Sequence, residues 1–198
     1  MSEAKSVSTS KYFSLAGATT TAQAFWIGTF AILVAIGAQI EIPHQPVPYT
    51  FQTFFVLLSG ALLGKRNSFL SMMTYLAMGA IGLPVFSGGG FGFARLLGPT
   101  GGYLLSYPLA AFIIGYLVSL RAKNDEGKKE TVLNYAWTFF SMLAGLLVVF
   151  SLGTLQLNVV YFHNWSAAFN AGFLIFSWWD LLKLASAVAI YHQLVRLK

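Results

Sequence analysis

Six apolar runs follow one another along the chain, separated by joints that are polar or rich in glycine and proline. They cover residues 24–42, 50–64, 69–86, 103–120, 132–157 and 167–194. A helix needs about 20 mostly apolar residues, with a range of 17–25, to cross the hydrocarbon core of a bilayer. The second run is short and the fifth is long enough to tilt or kink. The pattern predicts six transmembrane helices.

The composition agrees with a membrane protein. Apolar residues make up 57% of the chain and charged residues only 9%, whereas soluble domains carry about 25% charged residues. The mean hydropathy is +0.68. Cysteine is absent, which excludes a disulfide framework, a thiolate metal site and a cysteine nucleophile. The sequence therefore predicts an all-α integral membrane protein.

The positive charges are sorted by side of the predicted bundle. Residues 1–22 are polar and form a predicted cytosolic tail, and residues 23–198 form a predicted six-helix membrane domain. With the N-terminus inside, ten of the twelve Lys and Arg residues fall on inner segments. This is the positive-inside pattern, and it predicts that both termini are cytosolic. The net charge of +6 is then explained by orientation and lipid headgroups, and no nucleic-acid partner is expected.

Two ionisable residues, Asp180 and Lys183, interrupt the last apolar run. A charge at the centre of a spanning helix costs at least about 2.5–3.5 kcal/mol. Residues three apart share one helical face, so the two could merely neutralise each other. Charges inside a membrane usually line a ligand or ion path, however. A carboxylate acceptor beside an ammonium donor predicts a ligand that carries N–H and C=O groups, with Trp178 and Trp179 offering aromatic walls.

Arg95 lies in the glycine-rich outer stretch "SGGGFGFARLLGPTGG". The glycines let the backbone fold back at membrane depth and line a cavity. Arg95 would then point into this cavity and Tyr103 would form a hydrogen bond there. The alternative is an exposed loop with a solvated arginine. The stretch does not have the order of a nucleotide-binding loop, and the three histidines do not have the spacing of metal ligands. No metal site, catalytic site or cofactor is expected.

Four stretches follow one another along the chain: "GAQIEIPHQPVPYTFQTFFVLLSGALLG", "LAMGAIGLPVFSGGG", "LLGPTGGYLLSYPLAAFIIGYL" and "DLLK". In this order they resemble the BioY family of biotin transporters. The resemblance covers residues 28–120 densely and 170–190 more sparsely. It departs from many relatives at Trp178 and Trp179, where they have Pro-Gly, so the start of the last helix is open.

The resemblance implies a substrate-binding S component of an energy-coupling factor importer, in a bacterial cytoplasmic membrane. Its fold is a six-helix bundle with a biotin pocket that opens outward. By motif, Asp180 and Lys183 contact the ureido ring of biotin, and Arg95 meets the carboxylate of its valerate tail. The candidate substrate-binding residues are Asp180, Lys183, Arg95, Tyr103, Gln52 and Ser87.

Partner subunits are also implied by the resemblance. Ala31 and Ala35 form a small-xxx-small pattern that permits close helix contact, and related S components dock on a transmembrane coupling subunit through such a pattern. Internal packing is the alternative. No ATPase motif is present, so two ATPase subunits would complete the importer. Biotin uptake is the expected function. A carrier for another vitamin, a proton-coupled carrier and an intramembrane enzyme that uses Asp180 are the alternatives.

Overall fold

The computed structural model describes residues 19–124, 132–174 and 178–196, with the side chains of 122–124 left aside. This part of the chain is mostly helical, with a short hairpin between the first two helices. The elements are α1 (Thr20–Gln39), β1 (Glu41–Ile42), β2 (Tyr49–Thr50), α2 (Gln52–Ala80), α3 (Phe93–Leu97), α4 (Gly101–Asn124), α5 (Val132–Leu157), α6 (Trp165–Ala168) and α7 (Trp178–Arg196). In the hairpin, Glu41 pairs with Thr50 and Ile42 with Tyr49.

Helix α2 turns back on itself at Gly64. In a straight helix, Gln52 and Tyr75 would lie about 34 Å apart, because each residue adds about 1.5 Å. Instead, the Gln52 amide donates a hydrogen bond to the Tyr75 hydroxyl. Gly64 makes the reversal possible with φ 72° and ψ 172°, a conformation that only glycine adopts at low cost. The predicted runs 50–64 and 69–86 are thus the two arms of α2, and both ends of α2 lie near one site.

The core lies between α2, α4 and α5. Gly115 of α4 packs directly against the backbone of Lys65, so that α4 approaches the reversal in α2 without a side chain between them. Ile114 fits against Gly60 of α2 and Gly145 of α5 and is fully buried. Gly145 therefore serves helix packing and does not kink α5, which runs unbroken from Val132 to Leu157.

Three helical segments are long and apolar enough to cross a membrane: Thr20–Gln39, Gly101–Arg121 and Val132–Phe162. A fourth results if Trp165–Phe173 and Trp178–Arg196, bent by 44°, form one span. Large apolar side chains point outward, for example Ile36, which is 50% exposed, and Phe140, which is 64% exposed. Contiguous exposed apolar surface of this kind fits contact with lipid. The chain is a multi-pass membrane protein.

The last apolar run is more divided than its hydropathy indicates. Its described part contains α6, capped at its N-terminus by the Asn164 side chain, then a π-helical turn at Phe169–Phe173, and then α7. Asp180 lies in the first described turn of α7. Residues 1–18 of the predicted tail lie outside the described residues.

Candidate functional site

A cavity of about 590 Å³, partly open to solvent, lies where the ends of several helices meet. It is surrounded by the hairpin, the first turn of α2, the loop residue Ser87, the first turns of α4, the last part of α5 and the first described turns of α7. The lining residues are Val47, Pro48, Tyr49, Thr50, Gln52, Thr53, Ser87, Thr100, Tyr103, Leu104, Tyr107, Val149, Phe150, Asp180 and Lys183. Five of the six predicted substrate-binding residues are among them.

Asp180 and Lys183 of α7 form a largely buried ion pair in the cavity wall. Lys183 Nζ lies 2.6 Å from Asp180 Oδ1, and the side chains are 11% and 4% exposed respectively. Replacing a buried pair by apolar residues often does not reduce stability, so stability alone does not explain it.

Two threonines complete the surroundings of Lys183. Its ammonium donates to Thr53 Oγ1 at 2.7 Å and to the Thr50 carbonyl at 3.0 Å. Thr53 in turn donates to Asp180 Oδ1 over a longer distance of 3.4 Å. With Asp180, these groups give the three ammonium protons three acceptors. The sequence analysis did not identify either threonine. Their signal was the "PYTFQT" stretch at the start of α2, where Thr50 and Thr53 stand three apart.

Gln52 organises a second polar network beside the pair. Its carbonyl oxygen accepts a hydrogen bond from Thr50 Oγ1 at 2.9 Å and a long one from the Tyr107 hydroxyl at 3.5 Å. Its amide nitrogen donates to the hydroxyl of Tyr75, which donates to the Val85 carbonyl at 3.2 Å. Thr50 belongs to both networks, through its carbonyl and its hydroxyl. The Asp180–Lys183 pair and the Gln52 network are therefore connected through Thr50.

Aromatic rings form the apolar walls of the cavity, but the tryptophans do not contribute. Trp178 and Trp179 are 69% and 55% exposed, and neither lines the cavity. Tyr103, Tyr107 and Phe150 line it instead. The hydroxyl of Tyr103 donates to the Gly172 carbonyl at 2.9 Å. Tyr103 thus presents mainly its ring to the cavity and ties α4 to the turn before α7.

Arg95 lies at the edge of the cavity, beside Ser87. Its Nη2 donates to Ser87 Oγ at 3.4 Å, and Ser87 is a lining residue. Arg95 itself is exposed and does not line the cavity. Its guanidinium can therefore meet a negative group at the mouth of the cavity, next to Ser87.

Ala31 and Ala35 lie on the side of α1 that faces the protein. Ala31 is fully buried in the core, and the partly buried Ala35 packs against the same core. The methyl group of Ala31 is enclosed by the described part of the protein, and its role at a partner interface stays a prediction. The exposed face of α1 carries Ile32 and Ile36 instead, which are 53% and 50% exposed.

The arrangement is suited to binding and not to an evident reaction. The site combines one anion, one cation, amide and hydroxyl groups and ring walls. Among the residues that the structure describes, no three His, Asp or Glu side chains gather as a metal site requires.

Comparison with known proteins gives one family. The family model described as "BioY family" matches residues 7–198. The chain is 43% identical to "Biotin transporter BioY" of Thermotoga maritima, over 86% of this chain and 94% of that protein. It is 39% identical to "Probable biotin transporter BioY" of Pyrococcus horikoshii, over 85% of this chain and 93% of that protein.

The fold also matches a solved structure, the S-component for biotin from an ECF-type ABC transporter. The TM-score is 0.78 at 26% sequence identity, and the match covers 90% of this chain and 95% of the solved one. The fold is therefore that of an S component.

Proposed function

This chain belongs to the BioY family, and on that premise we propose that it takes up biotin as the substrate-binding S component of an energy-coupling factor importer. The observation that carries the proposal is the Asp180–Lys183 ion pair in the wall of the cavity. Such a pair has a high cost inside a membrane protein unless it serves a ligand. The protein is a transporter and not an enzyme.

The chemistry of biotin matches the two ends of the site. Its ureido ring has two N–H donors and one C=O acceptor, which suit the Asp180 carboxylate and the Lys183 ammonium. Because Lys183 already has three acceptors, the ureido oxygen would replace one of them. The Thr50 carbonyl is uncharged and makes the longest of the three contacts, at 3.0 Å, so it is the acceptor that we expect the ureido oxygen to replace. The thioether ring would rest against Tyr103, and no cofactor is needed for this binding.

The valerate tail of biotin would extend to the cavity edge. There the Arg95 guanidinium, next to Ser87, would pair with the carboxylate through a charge-assisted hydrogen bond. The Gln52 amide would stay bound to Tyr75 and shape the wall between the two ends.

The proposed topology has six spans with both termini in the cytosol of a bacterium and the cavity on the outer side of the cytoplasmic membrane. Each arm of α2 supplies one span, although neither arm is as long and apolar as the segments described above. Support comes from the charges. Lys65 and Arg66 directly follow Gly64, so they lie at the reversal, where both arms of α2 are farthest from the cavity. The positive-inside rule places the cytosol on this side.

Transport against a gradient requires energy that this chain does not supply. We assign that role to a transmembrane coupling subunit with two ATPase subunits, bound in the same lipid bilayer. Ala35 and the exposed apolar face of α1 would meet the coupling subunit. The exposure of Ile32 and Ile36 supports this placement.

The test is calorimetry of the purified full chain in detergent with biotin, thiamine and riboflavin. Biotin alone should bind, without chemical change and with the same affinity when the protein is placed in vesicles with or without a proton gradient. Binding of another vitamin in preference to biotin would contradict the assigned substrate. Conversion of a bound molecule would indicate an enzyme, and a gradient-dependent affinity would indicate a proton-coupled carrier.

A further inference from the structure

Gln39, the last residue of α1, forms side-chain hydrogen bonds to the loop at residues 86–90. Among the described residues, no other side chain of α1 forms a hydrogen bond to this loop. Its amide nitrogen donates to the Phe86 carbonyl at 3.1 Å. Its amide oxygen accepts from the Gly89 backbone N–H at 3.2 Å. The same nitrogen also contacts the Ala35 carbonyl, one turn earlier in α1, at 3.3 Å. One side chain thus fastens the end of α1 to residues on both sides of Ser87.

The segment 86–90, here named the rim loop, needs such support because of its backbone. Gly88 and Gly89 have φ angles of +63° and +68°, so the loop is a tight left-handed turn built on residues without side chains. A bridge between Phe86 and Gly90 closes it. The Phe86 ring anchors one end, because it is fully buried and packs on Gly79. Gln39 is the side chain that holds the other end, at Gly89.

Arg95 rests on this loop at two points. Its Nη2 donates to Ser87 Oγ. A Cβ atom added at Gly90 would lie only 3.4 Å from Arg95 Nε and 3.6 Å from Cζ, so the guanidinium lies over Gly90. The place of this cation at the cavity edge therefore depends on the conformation of the rim loop. Arg95 makes no ion pair that would fix it independently among the contacts described here.

We propose that Gln39 is a positioning residue for the carboxylate end of the ligand. It does not line the cavity. It acts by holding the rim loop, and through the loop it holds Ser87 and Arg95 where a carboxylate arrives. This inference rests on the proposed function, in which the ligand is biotin and Arg95 meets its tail.

The experiment compares Gln39→Met with the parent protein, using biotin and biotinamide, which lacks the tail charge. Methionine keeps the length of the side chain and removes both hydrogen bonds to the rim loop, at Phe86 and Gly89. We expect Gln39→Met to weaken biotin about 5–10-fold, the effect of about one ordinary hydrogen bond, because the contact with Arg95 is loosened and not removed; biotinamide should weaken less than about twofold. The matched control is Gln193→Met, an exposed glutamine of α7, which should leave both affinities unchanged.

A double variant separates positioning from general stability. If Gln39 acts through Arg95, then Gln39→Met should add almost nothing to the loss of biotin affinity already caused by Arg95→Ala. Equal losses for biotin and biotinamide, or additive losses in the double variant, would overturn the role of Gln39 while leaving biotin binding established. If the parent bound no biotin, the proposed function would fail, and the inference with it.

Discussion

Lys183 Nζ and Asp180 Oδ1 are 2.6 Å apart on one face of α7. Lys183 has two further acceptors, Thr53 Oγ1 and the Thr50 carbonyl. Asp180 accepts from Lys183 and Thr53 at the same oxygen, Oδ1. The pair is therefore unequal, because the ammonium is fully partnered while the carboxylate keeps its second oxygen for a ligand donor. This difference gives Asp180 the larger direct role in recognition.

Asp180→Asn should lower biotin affinity by about 2–5 kcal/mol, because it removes the anionic acceptor and leaves a buried ammonium without its counter-ion. Calorimetry in detergent measures the effect. An Asp180→Asn protein that binds biotin within twofold of the parent would mean that the pair is structural.

Thr53→Val should weaken biotin by about 1.5–3 kcal/mol, the usual contribution of a hydrogen bond to a charged group. Valine keeps the shape of threonine but cannot partner Lys183 or Asp180. Thr53→Ser keeps the hydroxyl and should recover most of the affinity. Thr74→Val is the control, because the Thr74 hydroxyl bonds only its own helix, at Leu70. Serine and valine variants with the same affinity would exclude a role for the hydroxyl.

Arg95→Ala should weaken biotin by about 1.5–3 kcal/mol, and Arg95→Lys should weaken it less, since lysine keeps the charge but loses the planar two-pronged geometry. Biotinamide should bind the parent less well than biotin does. Biotin and biotinamide should bind the Arg95→Ala variant about equally well. Arg66→Ala, at an exposed position beside the α2 reversal, is the control. If biotin and biotinamide lose the same factor, Arg95 does not read the carboxylate.

Ala31→Trp and Ala35→Trp should have different consequences because Ala31 is fully buried whereas Ala35 is partly buried. Overpacking at Ala31 should destabilise the fold by about 1–3 kcal/mol or more, seen as a lower Tm in detergent and a loss of binding and uptake together. Ala35→Trp should lower uptake in cells while biotin binding remains. If Ala35→Trp also abolishes binding, this position serves internal packing and not partner docking.

The helical membrane class of the fold could be predicted from the sequence, because long apolar runs are stable only where lipid or a protein core surrounds them. Runs of apolar residues predicted a helical membrane protein, and four linked stretches predicted the family that the comparisons then showed. The spacing of Asp180 and Lys183 predicted a pair on one helical face, and the pair is present. These features are local, so that the order of residues alone specifies them.

Other features depend on contacts between distant segments. The sequence offered Trp178 and Trp179 as cavity walls, with at least some of the neighbouring aromatics facing lipid, and both are exposed. Thr53 was missed although its hydroxyl contacts both charges. Ala31 was expected at a partner surface and is in the core.

The reason is geometric. Hydropathy and spacing determined that two charges share a face of a buried helix, since a helix repeats every 3.6 residues whatever surrounds it. They could not determine which segment faces those charges. Only the reversal of α2 at Gly64, together with the packing of α2 against α7, places Thr53 beside a residue 130 positions later in the chain.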